Sequence, residues 1–178
     1  MKIVTVFVLG CAILALTRAA APPEDEEAED NQRGSSDLVK RYLLCCNGWT
    51  NIEGACFQYV SKKMTWAKAE KNCQTMGAHL ASVKSEKEYH EIQKLTAPYG
   101  NKETWIGGSD AQEENEWLWA DGEKFVYTNW CKDQPSNYQQ LQHCLQMNFQ
   151  EKKCWDDHKC DTLLPSICVK RGCGVGSP

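Results

Sequence analysis

The 178-residue chain carries eleven cysteines, and where they fall constrains its fold more than any other feature. The first of them, Cys11, lies inside an apolar run from Ile3 to Leu16 that follows Lys2 and precedes Thr17-Arg18-Ala19. That pattern reads as a secretory leader over residues 1–19, cut after Ala19. The run is about fourteen residues, shorter than the roughly twenty a membrane span needs. Losing the leader leaves ten cysteines in a small domain routed to an oxidising compartment, which implies a disulfide framework. Spacing alone does not give the connectivity. No CxxC pair occurs, so a cysteine-built zinc cluster is excluded.

Residues 20–41 form an acidic segment without aromatic residues, centred on Glu24-Asp25-Glu26-Glu27-Ala28-Glu29-Asp30 and ending in the dibasic Lys40-Arg41. Such a stretch buries too little apolar surface to offset its ordering entropy, and it is read either as a removed propeptide or as a disordered segment. The leader carries two positive charges and this segment a net of four negative ones, so the whole-chain charge of −4 leaves the remainder at −2. A near-neutral domain argues against nucleic-acid partners. The domain proper runs over residues 42–171, with a short tail at 172–178.

Within it, Gly48 to Tyr59 reads as a hairpin whose Phe57-Gln58-Tyr59-Val60 alternates in the strand manner. Thr65 stands where a helix N-cap belongs, and Trp66, Ala69 and Cys73 share one face of the helix that follows, ending near Gly77. Ser85-Glu86-Lys87-Glu88 has the form of a capping box, and Tyr89, Ile92 and Leu95 make a buried stripe before Pro98. Beyond Pro98 come short strands at Trp105–Gly107, Trp117–Trp119 and Cys144–Phe149. The connection from Ala120 to His143 has no periodicity, and loops of that length are usually functional or stapled. Two helices followed by a strand-rich half point to an α+β fold.

The densest stretch is Trp130 to Cys160, with four cysteines, a Gln134-Pro135-Ser136-Asn137 turn and the acidic pair Asp156-Asp157 behind Trp155. Oxygens converging from two loops and a strand end are what calcium asks for. These residues, the Trp105-Ile106-Gly107-Gly108 run and the cysteine spacing resemble a C-type lectin domain, over Cys45 to Cys168. Cys131 and Cys154, flanking the loop, are most similar to those of fish lectins and the related type II antifreeze proteins.

The resemblance implies a double-looped fold, α+β, with two helices and short antiparallel sheets. It implies the bridges Cys45–Cys56, Cys73–Cys168, Cys131–Cys154 and Cys144–Cys160, leaving Cys46 and Cys173 to pair with each other or with a second chain. It also implies a calcium site at Gln134, Ser136, Gln142, Asp156 and Asp157, where bound sugar completes the shell. Three of these depart from the family's pattern: Ser136 replaces an asparagine or aspartate, Gln142 a glutamate, and Asp156 an asparagine. Calcium affinity follows ligand charge, so weak or lost calcium binding is expected. Glutamine at 134 matches the galactose-type arrangement, and Tyr138 is the aromatic placed to stack on a sugar face.

His79, His90, His143 and His158 are scattered and no nucleophile motif accompanies them, so catalysis is not expected. Two binding readings follow: a secreted lectin for galactose-like sugars, serving defence or venom, and an ice-binding protein. The antifreeze relatives carry an extra bridge where this chain has Ala111 and His143, which favours the lectin. A domain that binds a protein in place of sugar stands as the third.

Overall fold

The computed structural model describes Cys45 and residues 48–171. The leader, the acidic segment, Cys46, Cys173 and the 172–178 tail lie outside the described residues. Chain order begins with β1 (Thr50–Ile52) and β2 (Ala55–Met64), then α1 (Trp66–Thr75) and β3 (His79–Leu80). It continues with α2 (Glu86–Thr96), β4 (Thr104–Ser109), β5 (Leu118–Trp119), β6 (Cys144–Phe149), β7 (Cys154–His158) and β8 (Leu164–Arg171). One sheet runs β1-β2-β8-β4-β6-β7, with β3 paired to β8 and β5 to β4. Neighbours are antiparallel except β4 and β8, which meet in parallel at Trp105 and Ser166. The fold is the expected α+β arrangement, and that one parallel contact makes its sheet mixed.

Local chemistry accounts for the elements. The β1–β2 turn places Glu53 and Gly54 at positive φ, the backbone a two-residue hairpin turn needs to match strand twist. Thr65 and Ser85 cap the helices, their hydroxyls accepting from the N–H groups of Lys68 and Glu88. The box at Ser85 closes differently from the usual form: the buried Glu88 carboxylate accepts the N–H of Lys84 at 2.6 Å and pairs with Arg171 at 3.1 Å. Arg171 also contacts Asp121 at 3.2 Å, so the last strand, the second helix and the start of the long loop share one charged junction.

The core packs Phe57, Ile92, Ile106, Leu145, Met147, Trp155 and Ile167 between α2 and the sheet, and Leu80 and Trp105 between α1 and the sheet. The two glycines after Ile106 are required by close approach. A Cβ on Gly107 would stand 2.5 Å from the carbonyl oxygen of Leu80, and one on Gly108 2.6 Å from a Leu145 methyl.

Four bridges staple this frame: Cys45–Cys56, Cys73–Cys168, Cys131–Cys154 and Cys144–Cys160. Cys73–Cys168 ties α1 to β8 across 95 residues, and Cys144–Cys160 joins β6 to the turn after β7. No helix among the described residues is long and apolar enough to cross a membrane.

Candidate functional site

From Ala120 to His143 the chain leaves the sheet, forming one isolated bridge at Trp130 and a single 3-10 turn at Tyr138–Gln140. It is fastened at its middle. The N–H of Trp155 donates to the carbonyl of Asn129 at 2.7 Å, the N–H of Cys131 donates to the carbonyl of Trp155 at 2.9 Å, and the Cys131–Cys154 bridge adds a covalent stitch. Under it the fully buried Trp155 ring receives Tyr89, Trp119, Tyr127 and Trp130 edge-on. Trp130 and Trp155 are thus the base of the loop, and the exposed surface belongs to others.

The tip turns at Gln134-Pro135, a cis peptide. Asp157, fully buried on β7, holds it: one carboxylate oxygen accepts the N–H of Ser136 at 2.8 Å and the other that of Asn137 at 2.6 Å. Gln142 closes the second side. Its Oε1 accepts the N–H of Tyr138 at 2.7 Å and the hydroxyl of Ser136 at 3.2 Å, while Nε2 lies 3.3 Å from His158 Nδ1. Burial pushes the His158 imidazole below its ordinary range, which favours the neutral ring, and the tautomer protonated at Nε2 can accept from Gln142. Asn137 completes the web, accepting the N–H of Gln142 at 3.1 Å.

Of the six residues expected at the site, hydrogen bonds join Ser136, Tyr138, Gln142 and Asp157 into one cluster. Asp157 reaches Tyr138 and Gln142 through the loop backbone. Gln134 sits at the tip with its Oε1 buried and without a donor. Asp156 faces away. Adjacent strand residues point to opposite faces, and its carboxylate accepts from Gln146 on β6 at 2.7 Å. Burial, with the neighbouring Asp157 and Glu103 charges adding to it, lifts Asp156 to about 6.

These residues do not fit calcium. An ion of that kind takes six to eight oxygens, yet both Asp157 oxygens accept backbone N–H groups and Gln142 Oε1 accepts two more donors. Asp156 is withdrawn to Gln146. Of the expected ligands only Gln134 keeps a buried oxygen with no donor. Hydrogen bonds from Asp157 and Gln142 close the loop.

Beyond the turn, the loop presents a short crown to solvent, Tyr138-Gln139-Gln140-Leu141, all exposed, with Tyr138 64% accessible. Beside it a groove of about 380 Å³ is lined by Gln140, Leu141, His143, Lys159, Cys160 and Asp161. That volume falls at the small end of ligand pockets. Sequence reasoning missed Asn137 and His158 as loop supports, and it missed Asp110 and Glu114, which stand against His143. Their meeting depends on the β4–β6 register, for which no local sequence signal exists.

The Lectin C-type domain family matches residues 62–170. A type-2 ice-structuring protein of Osmerus mordax is 38% identical over 162 residues, 91% of this chain and 89% of that one. The galactose-specific lectin nattectin of Thalassophryne nattereri is 38% identical over 130 residues, 71% of this chain and 80% of that one. Among solved structures, a calcium-independent type II antifreeze protein superposes with a TM-score of 0.68 at 38% identity, over 73% of this chain and 96% of that one.

Proposed function

This chain belongs to the C-type lectin domain family, and we propose that it is a secreted carbohydrate-binding protein that takes galactose-type sugars at the 134–142 loop without calcium. Binding, not catalysis, is its task. The observation that carries this reading is a loop closed by its own hydrogen bonds to Asp157 and Gln142, with an exposed tyrosine at its crown.

A sugar's apolar face stacks on an amphipathic ring such as Tyr138. The amides of Gln139 and Gln140 offer both donors and acceptors to hydroxyl groups. The groove walled by Gln140 and Leu141 adjoins them. Nattectin supports the sugar class, and the four bridges suit an oxidising, extracellular setting.

The test is calorimetric titration of galactose into the protein with and without EDTA. Equal heats in both are expected, with Tyr138→Ala reducing affinity about fivefold, consistent with about 1 kcal/mol for an aromatic contact. Heat that vanishes in EDTA, or survives Tyr138→Ala unchanged, overturns it. Ice binding is the second reading, favoured by the ice-structuring relative that aligns with most of the chain. Silence toward sugars together with faceted ice crystals would establish it.

A further inference from the structure

We propose that the groove beside the crown is a second sugar subsite, in which Lys159 and Asp161 select a galactose-terminated saccharide whose next unit is uncharged. The assignment rests on galactose sitting at Tyr138, and it concerns what lies one unit further along the ligand. The Cys144–Cys160 bridge builds the groove, holding the two Cα atoms 5.1 Å apart. It sets the run into β6, Gln140 to His143, against the turn that leaves β7, Lys159 to Asp161. That turn is held twice: the Cys160 carbonyl accepts the N–H of Trp66 at 2.9 Å, and the Lys159 carbonyl that of Thr162 at 3.0 Å.

The walls carry free polar groups of opposite sign. Among the described residues, neither the Lys159 ammonium nor the Asp161 carboxylate takes part in an ion pair. An ammonium only donates hydrogen bonds, and an ionised carboxylate only accepts them. A hydroxyl group serves both, accepting from Lys159 or donating to Asp161. Charged substituents fit worse. An anionic one meets Asp161, with Asp110 and Glu114 standing 3.1 and 3.4 Å from the His143 ring nitrogen, and a cationic one meets Lys159. Leu141, 51% exposed, and the half-buried Cys160 add apolar surface to the lining, on which the C–H groups of a sugar ring can be buried.

Size and reach agree with one further sugar unit. The groove's volume of about 380 Å³ suits a single ring better than a longer chain. Gln140 and Leu141 belong to the crown and to the groove wall at once, so a ligand leaving Tyr138 enters the groove without crossing open surface. Consecutive Cα atoms are about 3.8 Å apart, so Leu141 lies within about 11 Å of Tyr138, the span of two linked pyranose rings.

The experiment is calorimetric titration of four saccharides into the full chain: galactose, lactose, lactosamine with its free ammonium, and lactose sulfated on its glucose unit. Lys159→Gln and Asp161→Asn are titrated alongside, both near-isosteric changes at side chains without an ion-pair partner. The ratio of lactose to galactose affinity is expected to be about ten in the unmodified chain and to fall about fivefold in each variant, as loss of hydrogen bonds to charged groups allows. Equal affinities for galactose and lactose in the unmodified chain overturn the subsite and leave galactose at Tyr138 standing. A ratio that neither variant lowers overturns the role of Lys159 and Asp161. Tighter binding of either charged analogue than of lactose overturns selection for an uncharged unit. No heat from any of the four overturns the galactose reading and this subsite with it.

Discussion

Replacing Asp156 by asparagine should stabilise the protein at neutral pH, although it removes a charge from a residue expected to ligate calcium. The carboxyl is 4% exposed and accepts from Gln146 at 2.7 Å. Burial lifts it from 3.8 to about 6. A carboxyl raised on folding contributes fully when protonated, below its unfolded value near 4, and that contribution is lost as pH climbs through about 6. The linkage carries at most about 3 kcal/mol, and screening by water near the carboxyl reduces it to about 1–2 kcal/mol. Asparagine keeps an oxygen for Gln146 and never ionises.

Urea unfolding of the two full-length proteins, disulfides intact, from pH 4 to pH 8 reads the difference. Nearly equal stabilities at pH 4 and a gain of about 1–2 kcal/mol for the variant at pH 8 are expected, the difference building between about pH 4 and pH 6 and level above that. His158, pushed down by burial, supplies stability above its unfolded range that is lost as pH falls, in the opposite sense. It is common to both proteins and cancels in the comparison. A variant less stable at pH 8, or a difference flat across pH, refutes the reasoning. Should millimolar calcium erase the difference, the ion is using this carboxylate and the misfit argued above is wrong.

Two other perturbations probe the frame. Gly107→Ala places a methyl 2.5 Å from a backbone oxygen that cannot rotate away, so a loss of about 1–3 kcal/mol is expected in denaturant unfolding; a neutral result would mean that β3 shifts freely. Removing the Cys131–Cys154 bridge by a double serine substitution opens a 23-residue separation and should cost about 3 kcal/mol in the chain-entropy picture. The same variant should lose galactose heat more than global stability predicts, and a variant that binds sugar normally would show the stitch to be dispensable.

Much of this was legible in the residues because it is local or marked by cysteine. Thr65 and Ser85 announce their helices, Tyr89 and Ile92 mark a buried stripe, and β6 spans Cys144–Phe149 as read. The four bridges came from family likeness, since spacing leaves many pairings open. What was hidden is register. The parallel contact of Trp105 with Ser166 and the meeting of Asp110 with His143 join residues 61 and 33 positions apart, and nothing near either partner signals the other. Asp156 was misplaced for a different reason. A motif names neighbours in sequence, but a strand sends neighbours to opposite faces, so Asp156 went to Gln146 while Asp157 met the loop.

The fastening on either side of Trp155 has a consequence for how such a scaffold changes its quarry. Because Asp157, Gln142 and the Cys131–Cys154 bridge grip mainly main-chain atoms, the outward side chains of residues 138–141 are left without structural duty. New residues can be written there without rewriting the frame. Substitutions confined to these four positions should therefore change what the loop contacts while leaving the stability of the frame nearly untouched.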